Sequence, residues 1–335
     1  MAKENKKPGL LVHLTFDKEA RSDGHVSPPV ESGRIKFFFA MLTKHNSDLI
    51  LPGLLFLVTA LPLFGVYIFL RVYGAEKLLY DLLKITELPY LMTNIGIGIS
   101  SGADVFSLKT DMLKVYQLFF VAVGFAMFIM SIGLSGLLRL AAKFIWSDSF
   151  ITKKDNYGNN VPRTIIEFFE GVKKYCPQML VWGAIAFILV AGVGNSVIFF
   201  ISGLWSGTAG AGHYIILILA CIIGLLGAMF LMYFAPFIVM YDIPMAAKIK
   251  NSAIFTIQMF VPNLFILAVI AAPVIAAALT NGFINVIFVA LLVVFGGTFY
   301  TLLTGNYVQY YAEKIMTPVY TAQVSKQSKN KKKKK

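Results

Sequence analysis

The sequence predicts an all-α polytopic membrane protein, and three observations support this fold class: the composition, six long apolar runs and the placement of the basic residues. Of the 335 residues, 57% are hydrophobic and 14% are charged. Soluble domains have about 45–50% apolar and about 25% charged residues. The mean hydropathy is +0.72. A lipid bilayer is therefore the expected environment of this chain.

Six continuous apolar runs have the length of transmembrane helices. A hydrocarbon core about 30 Å thick needs about 20 helical residues. The runs are continuous rather than alternating, which favours helices over the strands of a barrel. The predicted spans are Leu49–Leu70, Val115–Leu138, Leu180–Leu204, Tyr214–Met240, Met259–Leu279 and Phe283–Leu303. They pair into three hairpins.

Lysine and arginine fall mostly on one side of these spans. Residues 1–48 carry 8 of them, the loop 139–178 carries 7, and the C-terminal tail carries 8. Lys248 and Lys250 follow the fourth span, whereas the exterior loop 71–114 has 5 and the loops 205–213 and 280–282 have none. Because loops rich in basic residues stay in the cytoplasm, we expect a plasma-membrane protein with both termini cytoplasmic.

A basic, aromatic segment precedes each odd-numbered span. These segments are Arg34–Leu42, Arg163–Lys174 and Lys248–Phe255. Each mixes apolar and charged residues, which is typical of a helix that lies in the membrane interface with its aromatic residues toward lipid and its charges toward water. The expected architecture is thus three units, each an interfacial amphipathic helix followed by a transmembrane hairpin.

The chain divides into three predicted regions. Residues 1–33 read as a disordered cytoplasmic N-terminus, 34–310 as the six-helix membrane domain, and 311–335 as a basic cytoplasmic tail. The lysines near the membrane favour anionic lipid as a partner, since each is worth on the order of 1 kcal/mol at an anionic surface. A solvated tail that only reinforces topology is the favoured interpretation of the last residues. Nucleic acid is not expected, because no aromatic residues interleave with these lysines.

The predicted spans contain almost no ionisable residues, which argues against proton relays, ion-coupled carriers and voltage sensors. The deepest polar residues are Gln117, Ser131, Ser135, Asn195 and Asn285. Asn195 stands beside Gly194 and is a candidate for lining a substrate path through a broken helix. An interhelical hydrogen bond at a close glycine contact is the favoured alternative.

Catalytic and metal-binding constellations are not found in the sequence. Two cysteines and four histidines have no metal-ligand spacing, and no nucleophile and base can be paired. Glu167 and Glu170 share a predicted helix face with Lys173 and Lys174, which favours a solvated charged surface. We therefore expect neither an enzyme nor a cofactor.

Three segments carry a resemblance to a known family. They are Ser131–Leu140, Phe144–Phe150 and Phe168–Lys174, with Phe37–Phe39 and Leu61-Pro62 in addition. In these segments the chain resembles the YesL-like family of bacterial membrane proteins, in which a basic juxtamembrane helix, a Trp/Phe-Ser-Asp-Phe turn and a Phe-Phe-x-Gly-x-Lys-Lys helix follow a glycine-containing span. The chain departs from that pattern by an insert around Lys153–Pro162, a long exterior loop and the lysine tail.

The resemblance implies a modest functional expectation. Members occur in firmicute-type bacteria, commonly in genetic association with carbohydrate ABC transporters, and bring no catalytic residues. We expect a non-enzymatic accessory or assembly factor for a transport system, possessing a cytoplasmic contact surface. The candidate contact residues are Trp146, Ser147, Asp148, Phe168, Phe169, Lys173 and Lys174. The alternative is a small transporter or channel whose path is lined by glycine-rich helices and Asn195.

Overall fold

A computed structural model describes a large part of the chain. The described residues are 46–69, 105–146, 152–154, 160–241, 243–279 and 290–312, with single residues at 36, 38, 39, 42 and 287. The predicted disordered N-terminus, most of the exterior loop, Ser147, Asp148 and most of the basic tail lie outside them. So do most of the segment Arg34–Leu42 and the start of the predicted sixth span.

Helices make up nearly all of the described chain. They are α1 (Asn46–Phe69), α2 (Val105–Trp146), α3 (Thr164–Trp205), α4 (Ala211–Met240), α5 (Met245–Gln258), α6 (Phe260–Leu279) and α7 (residues 290–312, with a π-helical turn at Leu292–Gly296). Strands β1 (Thr152–Lys154) and β2 (Asn160–Pro162) form one short antiparallel pair with Lys153 opposite Val161. This pair occupies the insert recognised in the sequence. The helical fold class is confirmed, with this small hairpin added.

Three helices among the described residues are long and apolar enough to cross a membrane: the segment Leu113–Ile145 of α2, and all of α3 and α4. The pair α5–α6 passes the same test when taken together, but it bends by 95° at its break. The apolar part of α1, Ile50–Val66, is shorter. The described chain therefore has three to four candidate spans, which fits a helical membrane protein.

The second predicted unit differs from the sequence-based expectation. An interfacial helix at Arg163–Lys174 and a separate span from Leu180 were expected, but α3 runs without interruption for 42 residues and contains Pro177. A proline inside a helix removes one backbone hydrogen bond and favours a kink. Helix α3 continues on both sides of Pro177. The expected boundary between an interfacial helix and a span is therefore absent.

The described helices contribute to two compact units. The first unit comprises Met1–Val58, Ile132–Met179 and Met229–Lys335. Its core is rich in aromatic rings, and Tyr233, Phe237 and Phe255 are each 0% exposed. Ring centroids of Tyr233 and Phe255 lie 5.4 Å apart.

The second unit comprises Thr59–Ser131 and Leu180–Ala228 and packs its helices through glycines. A Cβ atom built on Gly124 would lie 3.0 Å from the carbonyl oxygen of Phe187, and one on Gly227 would lie 2.6 Å from a methyl of Leu189. Such contacts allow backbones to approach closely where lipid supplies no hydrophobic drive for association. Gly124 and Gly227 are therefore packing residues.

Candidate functional site

Four charged side chains of the first unit form a cluster between α2 and α3. Arg139 Nη2 donates to Glu167 Oε2 at 3.1 Å and to Glu170 Oε2 at 3.1 Å. Lys143 forms an ion pair with the same Glu167 oxygen. The side chains of Arg139, Lys143 and Glu167 are 8%, 5% and 7% exposed, whereas that of Glu170 is 49% exposed. We call these four residues the ion cluster.

Helix geometry brings these charges together. Arg139 and Lys143 are four residues apart and share one face of α2, as residues at this spacing do. The helices meet at Gly136, where a Cβ would lie 2.6 Å from the carbonyl oxygen of Phe168. The expectation of a solvated face formed with Lys173 and Lys174 is wrong for Glu167, because its carboxylate is buried and paired.

The first two turns of α3 also have an exposed face that points away from the ion cluster. This face is largely apolar. Ile165, Ile166 and Phe169 are 47%, 51% and 56% exposed. Lys173 and Lys174, one to two turns further along, are also exposed. We call Ile165, Ile166 and Phe169 the apolar tip of α3.

The predicted contact residues divide between these two faces. Phe169, Lys173 and Lys174 are exposed, but Phe168 is only 3% exposed and packs with Leu137 and Leu140. A buried ring cannot meet a partner, so the prediction for Phe168 is corrected to a packing role. Trp146 is the last residue of α2, and Ser147 and Asp148 are outside the described chain.

A second polar feature lies on α5. Lys248, Asn251, Ser252 and Thr256 are at most 4% exposed, and they recur at the spacing of one helical face. Lys248 Nζ donates to Gln178 Oε1 at 2.7 Å and to the carbonyl oxygen of Ile238 at 2.9 Å. The expected arrangement, with charges toward water and aromatic rings toward lipid, is wrong for this helix, because its polar face is buried within the first unit.

Asn263 forms hydrogen bonds that link the break between α5 and α6 to the aromatic core of the first unit. Its Nδ2 donates to the carbonyl oxygens of Phe255 and Thr256, at 3.2 and 3.3 Å. Its Oδ1 accepts hydrogen bonds from the hydroxyls of Tyr233 and Tyr307, both at 2.7 Å. The last carbonyls of a helix lack partners within the helix, so this amide supplies a donor to Thr256 where the chain turns. It adds a second donor to Phe255, whose carbonyl oxygen also accepts from the Met259 N–H.

Asn195, the candidate path residue, bonds within its own helix. Its Nδ2 donates to the carbonyl oxygen of Ala191 at 2.7 Å. The neighbouring Gly194 packs against the ring of Phe120, which a Cβ at that position would overlap. This stretch of α3 is therefore closely packed rather than unwound. The hydrogen bond shown for Asn195 is intrahelical, unlike the interhelical bond favoured from sequence.

Metal-binding and disulfide chemistry find no support in the part of the chain that the structure describes. It contains no group of three or more His, Cys, Asp or Glu residues arranged to hold a metal ion. Cys176 and Cys221 are free thiols.

Sequence reasoning identified Ser131 and Ser135, which are 0% exposed, but it missed the buried polar groups of α5 and α6. Lys248 was assigned to an interfacial helix, and neither Asn251 nor Asn263 was singled out. The pattern on α5 contained a usable signal: Lys248, Asn251 and Ser252 share one face while Ile249 and Ile257 occupy another. No helical pattern, by contrast, could tell which of the two faces is covered by protein.

Comparisons with known proteins give no relative. The chain matches no protein-family model, no curated protein and no solved structure. The resemblance to the YesL-like family therefore stays a prediction.

Proposed function

We propose that this chain is a non-enzymatic bacterial plasma-membrane protein that serves as an accessory or assembly factor for a transport system. In this proposal it has six spans and cytoplasmic termini, and it docks a transport subunit through the apolar tip of α3. One observation carries the proposal: a long, continuous helix exposes three large apolar side chains at its charged end.

The length of α3 bears on where that tip lies. Its 42 residues correspond to about 63 Å at about 1.5 Å per residue. A bilayer with its headgroups is about 40–45 Å thick, so a helix that crosses it must extend well beyond one surface. All the acidic and basic residues of α3 lie between Thr164 and Lys174, and the charge distribution favours the cytoplasm for that end.

Distances along α3 separate lipid contacts from protein contacts. Lys173 and Lys174 precede the predicted span start at Leu180 by about 10 Å of helix. A headgroup layer is about 5–7 Å deep on each side of the bilayer, so these two long side chains can reach its surface. Anionic lipid is therefore the expected partner of these two lysines. Phe169 precedes Leu180 by about 16 Å and Ile165 by about 22 Å, beyond the headgroup layer. Water is a poor environment for such a tip, and a protein surface is the better one.

The ion cluster supports docking because it holds this end of α3 against α2. Glu167 and Glu170 both meet Arg139, so the apolar tip is presented from a fixed helix. A surface fixed before binding loses less conformational entropy when a partner docks. The choice of a transport subunit as the partner rests on the resemblance to the YesL-like family.

Affinity purification in mild detergent tests this function. The unsubstituted protein should retain a stoichiometric permease or ATPase subunit, identified by mass spectrometry. The double variant Ile166→Ser and Phe169→Ser should lose it, while Ile249→Ser, a control at an exposed position on α5, should keep it. Equal recovery of the subunit with the double variant, or no transport subunit with any form, would contradict the proposal.

A further inference from the structure

Helix α5 buries four polar residues and exposes large apolar ones. Ile249 and Ile257 are 40% and 73% exposed, and Ala246 and Ala253 on the same face are exposed as well. The buried face carries the polar residues Lys248, Asn251, Ser252 and Thr256 together with Ala247 and Phe255. Lys250 and Gln258 are the exposed polar residues of this helix. This arrangement is typical of membrane helices whose polar side chains face the bundle interior or a water-filled cavity.

Most polar groups on the buried face have partners, and Asn251 is the exception. The hydroxyl of Ser252 donates to the carbonyl oxygen of Lys248, and that of Thr256 to the carbonyl oxygen of Ser252, both at 2.8 Å. Asn251 is 0% exposed. Among the described residues neither its Nδ2 nor its Oδ1 has a hydrogen-bond partner. A buried amide normally has partners, so this one has unused capacity to donate and to accept.

The break that ends α5 is a second feature of this region. The chain turns by 95° between α5 and α6, and Asn263 binds the last carbonyls of α5. Discontinuous membrane helices of this kind line the substrate sites of many transporters. The break lies at Met259, where the predicted fifth span begins.

From these observations we infer that the buried face of α5 is a binding site for a small, uncharged solute with hydroxyl or amide groups. The Asn251 amide donates to and accepts from that solute, and the oxygens of Ser252 and Thr256 offer further acceptors. Lys248, held by Gln178 and the Ile238 carbonyl, borders the site. The solute exchanges with water. This site does not depend on the docking role of α3, which lies on a different surface.

Cysteine alkylation in proteoliposomes tests the site, with iodoacetamide as the probe because it is small, uncharged and carries an amide. The background is Cys176→Ala with Cys221→Ala, which removes both native thiols. Asn251→Cys is compared with Ala253→Cys, two residues along and on the exposed face. We expect alkylation at position 251 to be about tenfold faster or more, because the reactive thiolate forms in water and is suppressed in apolar surroundings.

A competitor and a second pair of variants complete the experiment. Excess acetamide should slow alkylation of Ser252→Cys, in which the Asn251 amide is intact, and leave the rate for urea-unfolded protein unchanged. If Asn251→Cys does not fold, Ser252→Cys and Ile249→Cys replace the first pair as the buried and exposed positions. A buried-face cysteine that reacts no faster than its exposed partner, or a cysteine at position 252 that acetamide does not protect, would overturn the inference.

Discussion

Glu167 connects two long helices because one of its carboxylate oxygens meets both Arg139 and Lys143. Removing Glu167 takes the paired carboxylate from buried Lys143 and one of two from Arg139, and breaking a buried ion pair costs about 3–5 kcal/mol in soluble proteins. Glu170 contacts the same arginine from a half-exposed position. Exposed ion pairs contribute about 0–1 kcal/mol, so the two carboxylates should differ strongly in their effect.

Substituting Glu167 by Gln should lower the free energy of unfolding by about 3–5 kcal/mol, since Arg139 and Lys143 then share a neutral amide. The matched variant Glu170→Gln should change it by about 1 kcal/mol or less. Denaturant titration in detergent, followed by circular dichroism, measures both. Similar losses for the two variants would show that the cluster behaves as a surface pair.

At the scale of elements, the crossing of α2 and α3 depends on two glycines. A Cβ on Gly136 would lie 2.6 Å from the backbone oxygen of Phe168, and one on Gly171 would lie 2.9 Å from Arg139 Cβ. Backbone atoms cannot move aside as the end of a side chain can. Gly192, on the same helix as Gly171, has open space around it.

The variant Gly136→Ala should destabilise the protein by about 1–3 kcal/mol, because overpacking a close contact forces the helices apart. Gly192→Ala adds the same methyl group in a helix, where alanine is favoured over glycine by about 1 kcal/mol. It should leave the melting temperature unchanged or raise it. Thermal unfolding in detergent compares the two, and an equal decrease for both would contradict the close crossing.

Sequence periodicity predicted that helices form, but it did not predict how they continue or which face is covered. Pro177 indicated a boundary, yet α3 passes through it, because one lost hydrogen bond is small against a long helical ladder. Phe168 and Phe169 are adjacent and chemically alike, and only the position of α2 makes one buried and the other exposed. The sequence also could not tell whether Lys248 is buried or exposed. A basic residue beside a span indicates the cytoplasmic side of the membrane, and this holds for a buried side chain as well as for an exposed one.

At the scale of the molecule, the described helices account for three to four candidate spans, and the count of six comes from the sequence. Basic residues cluster in 1–48, 139–178 and the C-terminal tail, whereas the loop 205–213 has none. Only an even number of spans places both terminal clusters on the cytoplasmic side. An odd number would leave one of them outside.

Reporter fusions test that parity directly. Alkaline phosphatase, which is active only outside the cytoplasm, should be inactive when fused after Lys174 or after Lys335. It should be active when fused after Thr208, in the uncharged turn between α3 and α4. Green fluorescent protein should give the complementary pattern. Because the positive-inside effect acts through short basic loops, phosphatase activity after Lys335 would contradict the six-span topology, and activity after Lys174 would also place the apolar tip of α3 outside the cytoplasm.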